Sequence, residues 1–238
     1  MGLREGSSQG TELFTLSLSL FIYIHTVYVC VYVCACLLVF FTGTDCSQIL
    51  AQSPKASSGV YVIKPPGAKT PFQVYCEMRE DGGWIVFQRR SGEALSFNKK
   101  WEEYKHGFGK LKHDHWLGLN KVFLLSQVET WALRVDLWDH DGGSAYAQYE
   151  NFRIENEKTA FKLHIGEFSG NAGDAFRGSY PGGDQNGFGF STADRDNDGC
   201  SPCIFDDMAQ LDCTFSAGGS YSLKASRMMI KPSTAAEY

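Results

Sequence analysis

A short run of alternating acidic residues is the part of this sequence best suited to chemistry. The segment DRDNDGC, from Asp194 to Cys200, also places carboxylates at Asp196 and Asp198. Calcium takes about six to eight oxygen ligands, which alternating aspartates and the intervening backbone carbonyls can supply. The run begins like an EF-hand loop, but Phe205 stands where the bidentate glutamate belongs. The residues alone leave two interpretations open, a calcium loop of another kind and a solvated acidic turn.

Two other clusters of titratable residues lack the partners that a metal site or an acid and base pair needs. The first cluster is His113, Asp114 and His115, and the second is Asp136, Asp139, His140 and Asp141. We predict that both lie in solvated loops. The chain also contains no G-x-S-x-G elbow and no Walker pattern. We therefore expect that the protein is not an enzyme.

Charge and cysteine content indicate the compartment and exclude one class of partner. The net charge is -5, and the basic residues are scattered among acidic neighbours rather than collected in a stripe. This distribution argues against nucleic acid as a partner. The eight cysteines favour an oxidising, extracellular environment.

The elements that must position these residues belong to an α+β domain. Short β-branched and aromatic runs, GVYVIKP and FQVYCEM, are separated by a Pro and Gly punctuated turn and predict a small sheet. Phe97, Trp101 and Tyr104 are spaced to share one face of a helix, where core packing is the expected role. Alternating runs between Trp131 and Ile165 predict a central antiparallel sheet with short flanking helices.

An ordered series of motifs connects these segments to a known family. The motifs include DCSQIL, SGVYVIKP, DGGWIVFQRR, FNKKWEEYKHGFG, HWLGLNKVFLL and FSTADRDNDGC. Together, from Asp45 to Cys203, they resemble the fibrinogen C-terminal domain family, nearest its fibrinogen-like and angiopoietin-like branch. The resemblance implies a small disulfide-tied N-terminal sheet, a central antiparallel sheet and a calcium-loop subdomain.

The resemblance also implies the roles of individual residues. Calcium would be bound by the side chains of Asp196 and Asp198 and by the backbone carbonyls of Cys200 and Pro202, with Asp194 in support. It further implies a disulfide between Cys46 and Cys76.

The chain departs from the family after the calcium loop. The family motifs GWWxxxC, LNGxY and GIxWxxW are missing, so that TFSAGG leads directly into a segment resembling the closing strand. The domain is therefore incomplete after residue 219, and no ligand-binding residue can be assigned. Among Cys200, Cys203 and Cys213 one thiol is left over, which favours disulfide-linked dimers. Their pairing stays open.

The sequence divides into three parts: a hydrophobic leader at 1–44, the domain at 45–232 and a tail at 233–238. No charged residue occurs from Leu13 to Phe41. This stretch is interpreted as a signal peptide, as an uncleaved anchor with an extracellular C-terminus, or as a gene-model artefact, since HTVYVCVYVCAC is what a dinucleotide repeat would encode.

These observations lead to two functional hypotheses. The first is an extracellular, secreted, calcium-binding recognition module. It would be lectin-like or a secreted ligand, with an innate-immune or signalling role, and its partner would be a glycan or a protein receptor. The second is a truncated form that lacks the ligand pocket and has at most a structural or matrix interaction role.

Overall fold

The computed structural model of the chain describes residues 43–92, 94–178, 184–197, 212–215 and 219–233, and for 212–215 and 219–222 only the backbone. Most of the leader, residues 1–42, and the tail from 234 onward lie outside the described residues. Within the described ranges no helix combines the length and apolar composition needed to cross a bilayer. The domain boundaries at 45 and 232 stay predictions.

A disulfide links the first helix to strand β2 (Phe72–Arg79) of the large sheet. Helix α1 (Cys46–Gln52) begins after Asp45, whose carboxylate accepts a hydrogen bond from a backbone N–H of the first turn at 3.0 Å. Cys46 is bridged to Cys76 across a Cα separation of 5.6 Å, as the resemblance implied. The helix lies so close to Gly83 that a Cβ there would collide with the Cys46 carbonyl. Gly83 is therefore required for this packing.

The strands form one large sheet and one short hairpin. They are β1 (Gly59–Ile63), β2 (Phe72–Arg79), β3 (Gly82–Arg90), β4 (Phe108–Gly109), β5 (His115–Trp116), β6 (Trp131–Trp138), β7 (Ser144–Ile154), β8 (Leu163–His164), β9 (Phe168–Gly170), β10 (Asp212–Phe215), β11 (Gly219–Ser222) and β12 (Ala225–Pro232). The main path of the large sheet runs β1-β2-β3-β12-β6-β7-β8, and β10 pairs with β11 alone. This confirms the predicted α+β class with a central antiparallel sheet.

The closing strand lies in the middle of the sheet. On one side β12 pairs antiparallel with β3, and on the other it pairs antiparallel with β6. Arg227 thereby faces Arg89 on one neighbour and Asp136 on the other. Residues distant in sequence are brought together in this way.

The predicted helix face is buried, but its helix is shorter than the spacing suggested. Helix α2 covers Trp101–His106 and helix α3 covers Leu119–Leu125. The Glu103 carboxylate accepts from the Lys100 backbone N–H at 3.1 Å, which fixes the start of α2 after Lys100. Phe97 therefore reaches the core from the irregular segment before the helix.

The centre of the sheet is buried on both faces. Ile85, Phe87 and Ile230 contribute to the main core, together with the helices. The alternate residues of the same strands, including Trp84, Val86 and Met229, form a second and smaller apolar cluster. Because neighbouring residues of a strand point to opposite faces, this cluster lies on the side away from the main core.

Candidate functional site

The acidic loop comprises residues 191–200, and hydrogen bonds stabilise its described part, residues 191–197. The Asn197 backbone N–H donates to the Ser191 hydroxyl at 2.8 Å, and the Asn197 amide donates to the Phe190 carbonyl at 2.8 Å. Thr192 and Arg195 form an antiparallel bridge, with both backbone hydrogen bonds at 2.9 Å. These bonds close the segment into a defined turn.

Asp194 links this turn to the start of helix α2. Its Oδ1 atom accepts hydrogen bonds from the Trp101 backbone N–H at 2.9 Å and from the Thr192 hydroxyl at 2.8 Å. The hydrogen bond from the Trp101 backbone, with that from Thr192 second, holds the pKa of Asp194 below its ordinary value. Asp194 thus positions the loop.

A stacked cation adds a second link between the loop and the helix. The Arg195 guanidinium lies 3.9 Å above the Trp101 ring centroid and 3.9 Å from Glu157. The Trp101 indole N–H donates to the same Glu157 carboxylate at 3.2 Å. These contacts fix the position of the loop on the main core without an ion.

The proposed calcium ligands fall at the edge of the described residues. Asp196 is exposed and follows the anchored turn directly. Asp198, Cys200 and Pro202 lie outside the described residues. Inside the described ranges no group of three or more His, Cys, Asp or Glu side chains converges. The candidate donor set is made of oxygen atoms, which fits a hard cation such as calcium, and the site stays a prediction.

The cysteine cluster lies mostly outside the described part of the chain. Cys200 and Cys203 are outside it, whereas the backbone of Cys213 lies in β10, opposite Tyr221 of β11. The leftover thiol and the disulfide-linked dimer therefore stay predictions.

The prediction of a solvated loop is wrong for two residues of the first titratable cluster. Asp114 and His115 are 3% and 1% exposed because β5 pairs with β3 and draws them into the core. The Asp114 carboxylate accepts from the backbone N–H and the hydroxyl of Ser91, at 2.8 and 2.7 Å. Both ring nitrogens of His115 contact backbone carbonyls, and burial lowers its pKa.

The prediction is also wrong for Asp136 of the second titratable cluster, whereas the other members, Asp139, His140 and Asp141, lie in a turn. Asp136 is 5% exposed and contacts three guanidinium groups: Arg134 at 2.7 Å, Arg227 at 2.8 Å and Arg79 at 3.3 Å. Its strand position and these cations explain the burial, because a buried carboxylate needs paired charge.

A polar network that no local sequence pattern predicted surrounds Asp136. Glu77 contacts Arg227 at 2.8 Å and Arg89 at 3.8 Å. Several of its cations also lie over aromatic rings: Arg89 over Tyr75, Arg134 over Tyr146, Arg227 over Trp138 and Lys231 over Trp84. Strand alternation in RVDLW could have placed Arg134 and Asp136 on one face. Arg79 and Arg227 come from β2 and β12, so their contacts with Asp136 required the topology.

The sheet topology and the anchored acidic loop define a fibrinogen-like globular domain. The family model described as "Fibrinogen beta and gamma chains, C-terminal globular domain" matches residues 42–227. The chain belongs to this family.

Individual relatives are similar over most of the domain. Fibrinogen-like protein 1 of Bos taurus is 43% identical over 162 residues, covering 65% of this chain and 52% of that protein. Angiopoietin-related protein 1 of Homo sapiens is 38% identical over 155 residues, covering 65% of this chain and 30% of that protein. The chain thus spans about half, or less, of the length of these curated relatives.

Solved structures share the fold. The fibrinogen-like globe domain of human ANGPTL2 superposes with a TM-score of 0.71 at 32% identity, covering 81% of this chain and 100% of that chain. A lamprey fibrin D-dimer superposes with a TM-score of 0.67 at 25% identity, covering 96% of this chain and 92% of that chain.

Proposed function

We propose that this chain is an extracellular recognition module whose acidic loop binds calcium, and that it binds a partner rather than catalysing a reaction. The observation that carries the proposal is the anchoring of the loop to helix α2 through Asp194 and Arg195, with Asp196 exposed directly after it. A preformed loop lowers the entropic cost of collecting ligands around an ion.

The buried titratable groups support a non-catalytic role. Burial raises the pKa of Tyr104 to about 12, and its hydroxyl donates to the Phe97 carbonyl at 2.7 Å. Burial also raises the pKa of Tyr149 and lowers that of His115. Tyr104 and His115 bond to backbone carbonyls, and the Tyr149 hydroxyl donates to the Asp174 carboxylate at 3.0 Å. Structural networks also shift pKa values, so these shifts require no catalytic role.

The disulfide and the relatives support the extracellular location and a macromolecular partner. A bridge such as Cys46–Cys76 persists in an oxidising compartment. The similar lamprey fibrin D-dimer is complexed with the peptide ligand Gly-His-Arg-Pro-amide. We propose a protein ligand or receptor as the partner class for this chain, in preference to an acetylated glycan.

A structural or matrix role is the alternative function, and the β10–β11 hairpin favours it. Phe215 pairs with Gly219, so only three residues join the two strands. The family's pocket motifs would follow this point, and the chain has none of them. A chain without that segment keeps the rest of the domain as its interaction surface.

Calcium-dependent stability tests the proposed loop. Because an ion that binds only the folded chain stabilises it by mass action, calcium added to metal-free protein should raise the melting temperature. Asp196→Asn should abolish the rise. Asp141→Asn, an exposed aspartate in the turn between β6 and β7, is the matched control and should keep it. No rise in the wild-type chain, or an equal rise in Asp196→Asn, would contradict the proposal.

A further inference from the structure

A cavity on the domain lies apart from the acidic loop. It has a volume of about 390 Å³ and opens between the start of β2, the end of α2, the β4–β5 hairpin and the start of α3. Phe72, Phe108 and Leu111 supply apolar walls, and Gln73, His106 and Lys121 supply polar groups. This volume is within the usual range for small-molecule sites, roughly 300 to 1,000 Å³.

Lys121 is the chemically distinctive group of this cavity. Its ammonium donates to the Leu117 carbonyl at 3.1 Å and contacts the His106 carbonyl at 3.5 Å. Among the described residues, no carboxylate lies within 4.0 Å of it. By contrast, Lys105 and Lys231 each contact an acidic side chain. Lys121 is therefore a partly buried cation whose described partners are neutral.

Burial of such a cation is unfavourable, and one of the N–H donors of the Lys121 ammonium is still available to a ligand. Desolvation lowers the pKa of Lys121, which reflects the cost of holding the charge away from water. An ammonium has three N–H donors, and the two carbonyls use at most two of them. A third donor remains for an anion, whose charge would offset the desolvation cost.

We propose that this cavity binds a small organic anion, a carboxylate carried by an aromatic or branched apolar body. The carboxylate would meet the Lys121 ammonium, and the Gln73 amide can donate to its second oxygen. The apolar body would lie against Phe72, Phe108 and Leu111. The Glu102 carboxylate, next to His106, lies 3.7 Å from the Lys105 ammonium, which partly offsets its negative charge. The site is independent of calcium and of the missing C-terminal segment.

A charged and neutral probe pair tests the proposal on the full chain. Indole-3-propionate is the carboxylate probe, and indole-3-propionamide is the neutral probe of nearly equal shape. Calorimetry measures the affinity of each probe. The NMR chemical shifts of the backbone amides of Gly107 and Gly109, which line the cavity, report where the probe binds. We expect saturable binding of the carboxylate with shifts at both glycines, and affinity for the amide at least about tenfold weaker.

Two variants and a control locate the charge. Lys121→Met keeps an apolar stem and should weaken carboxylate binding by about tenfold or more. Lys112→Met removes an exposed lysine that does not line the cavity and should leave binding unchanged. Gln73→Glu adds a negative charge at an exposed rim position and should also weaken binding, which keeps the test decisive if Lys121→Met fails to fold. Equal affinity for the two probes, wild-type affinity in Gln73→Glu, or no saturation below about 10 mM would overturn the proposal.

Discussion

The Arg227 guanidinium lies between two carboxylates, donating to Asp136 at 2.8 Å and contacting Glu77 at 2.8 Å. Its side chain is 15% exposed, and that of Asp136 is 8% exposed. Arg227 is on the closing strand, 91 residues after Asp136. The pair therefore joins the end of the domain to its middle, over the second apolar cluster.

Replacement of Asp136 should show how much this network contributes. Asp136→Asn keeps the shape of the side chain but removes the charge that three arginines share. Breaking a buried ion pair in this way leaves uncompensated charge, so we expect a loss of about 3 kcal/mol in the free energy of unfolding. Urea denaturation measures the loss. Asp141→Asn, in the exposed turn, should change stability by less than about 0.5 kcal/mol, and equal effects in the two variants would contradict the role assigned to Asp136.

The link between Asp194 and Trp101 predicts a pH-dependent contribution to stability. The pKa of Asp194 is lowered in the folded chain, so its stabilising effect is present above about pH 4, the ordinary pKa of aspartate. The effect is lost as the pH falls through the lower folded pKa. In the presence of a chelator, Asp194→Ala should be less stable than the wild-type chain at pH 7, and the difference should shrink at about pH 3. A difference that is independent of pH would contradict this role.

Loss of the Cys46–Cys76 bridge should destabilise the domain. The bridged residues are 30 positions apart, for which loop-closure entropy gives about 3.5 kcal/mol. The double variant Cys46→Ala and Cys76→Ala should lose stability of this size in chemical denaturation. Peptide mapping under non-reducing conditions provides an independent check. Recovery of Cys76 as a free alkylated thiol from secreted protein would contradict the pairing.

The features that are predictable from the sequence are those that local patterns or an ordered set of motifs determine. The α+β class followed from strand alternation, and the Cys46–Cys76 bridge followed from the resemblance. The burial of His115 and Asp136 was not predicted, because it depends on strand pairing. His115 is buried where β5 pairs with β3, and Asp136 is buried where β6 pairs with β12. Local polarity correctly indicated a turn at Asp141 but could not show that Asp136, five positions earlier, faces three arginines.

We expect the domain to have little or no affinity for acetylated sugars. An acetyl group requires a small apolar slot with aromatic walls and a hydrogen-bond donor for its carbonyl. In the family these groups come mainly from the WWxxxC to LNGxY segment, which this chain does not contain.

The hairpin that stands in place of that segment joins Phe215 to Gly219 and offers no comparable length of chain. We therefore expect the full chain to pass through an N-acetylglucosamine column without retention in the presence of calcium. A chain with an intact LNGxY segment from a sugar-binding relative is the control for the column. Calcium-dependent retention of this chain, released by free N-acetylglucosamine, would contradict the prediction. Such retention would also favour a glycan partner over the protein ligand proposed for the domain.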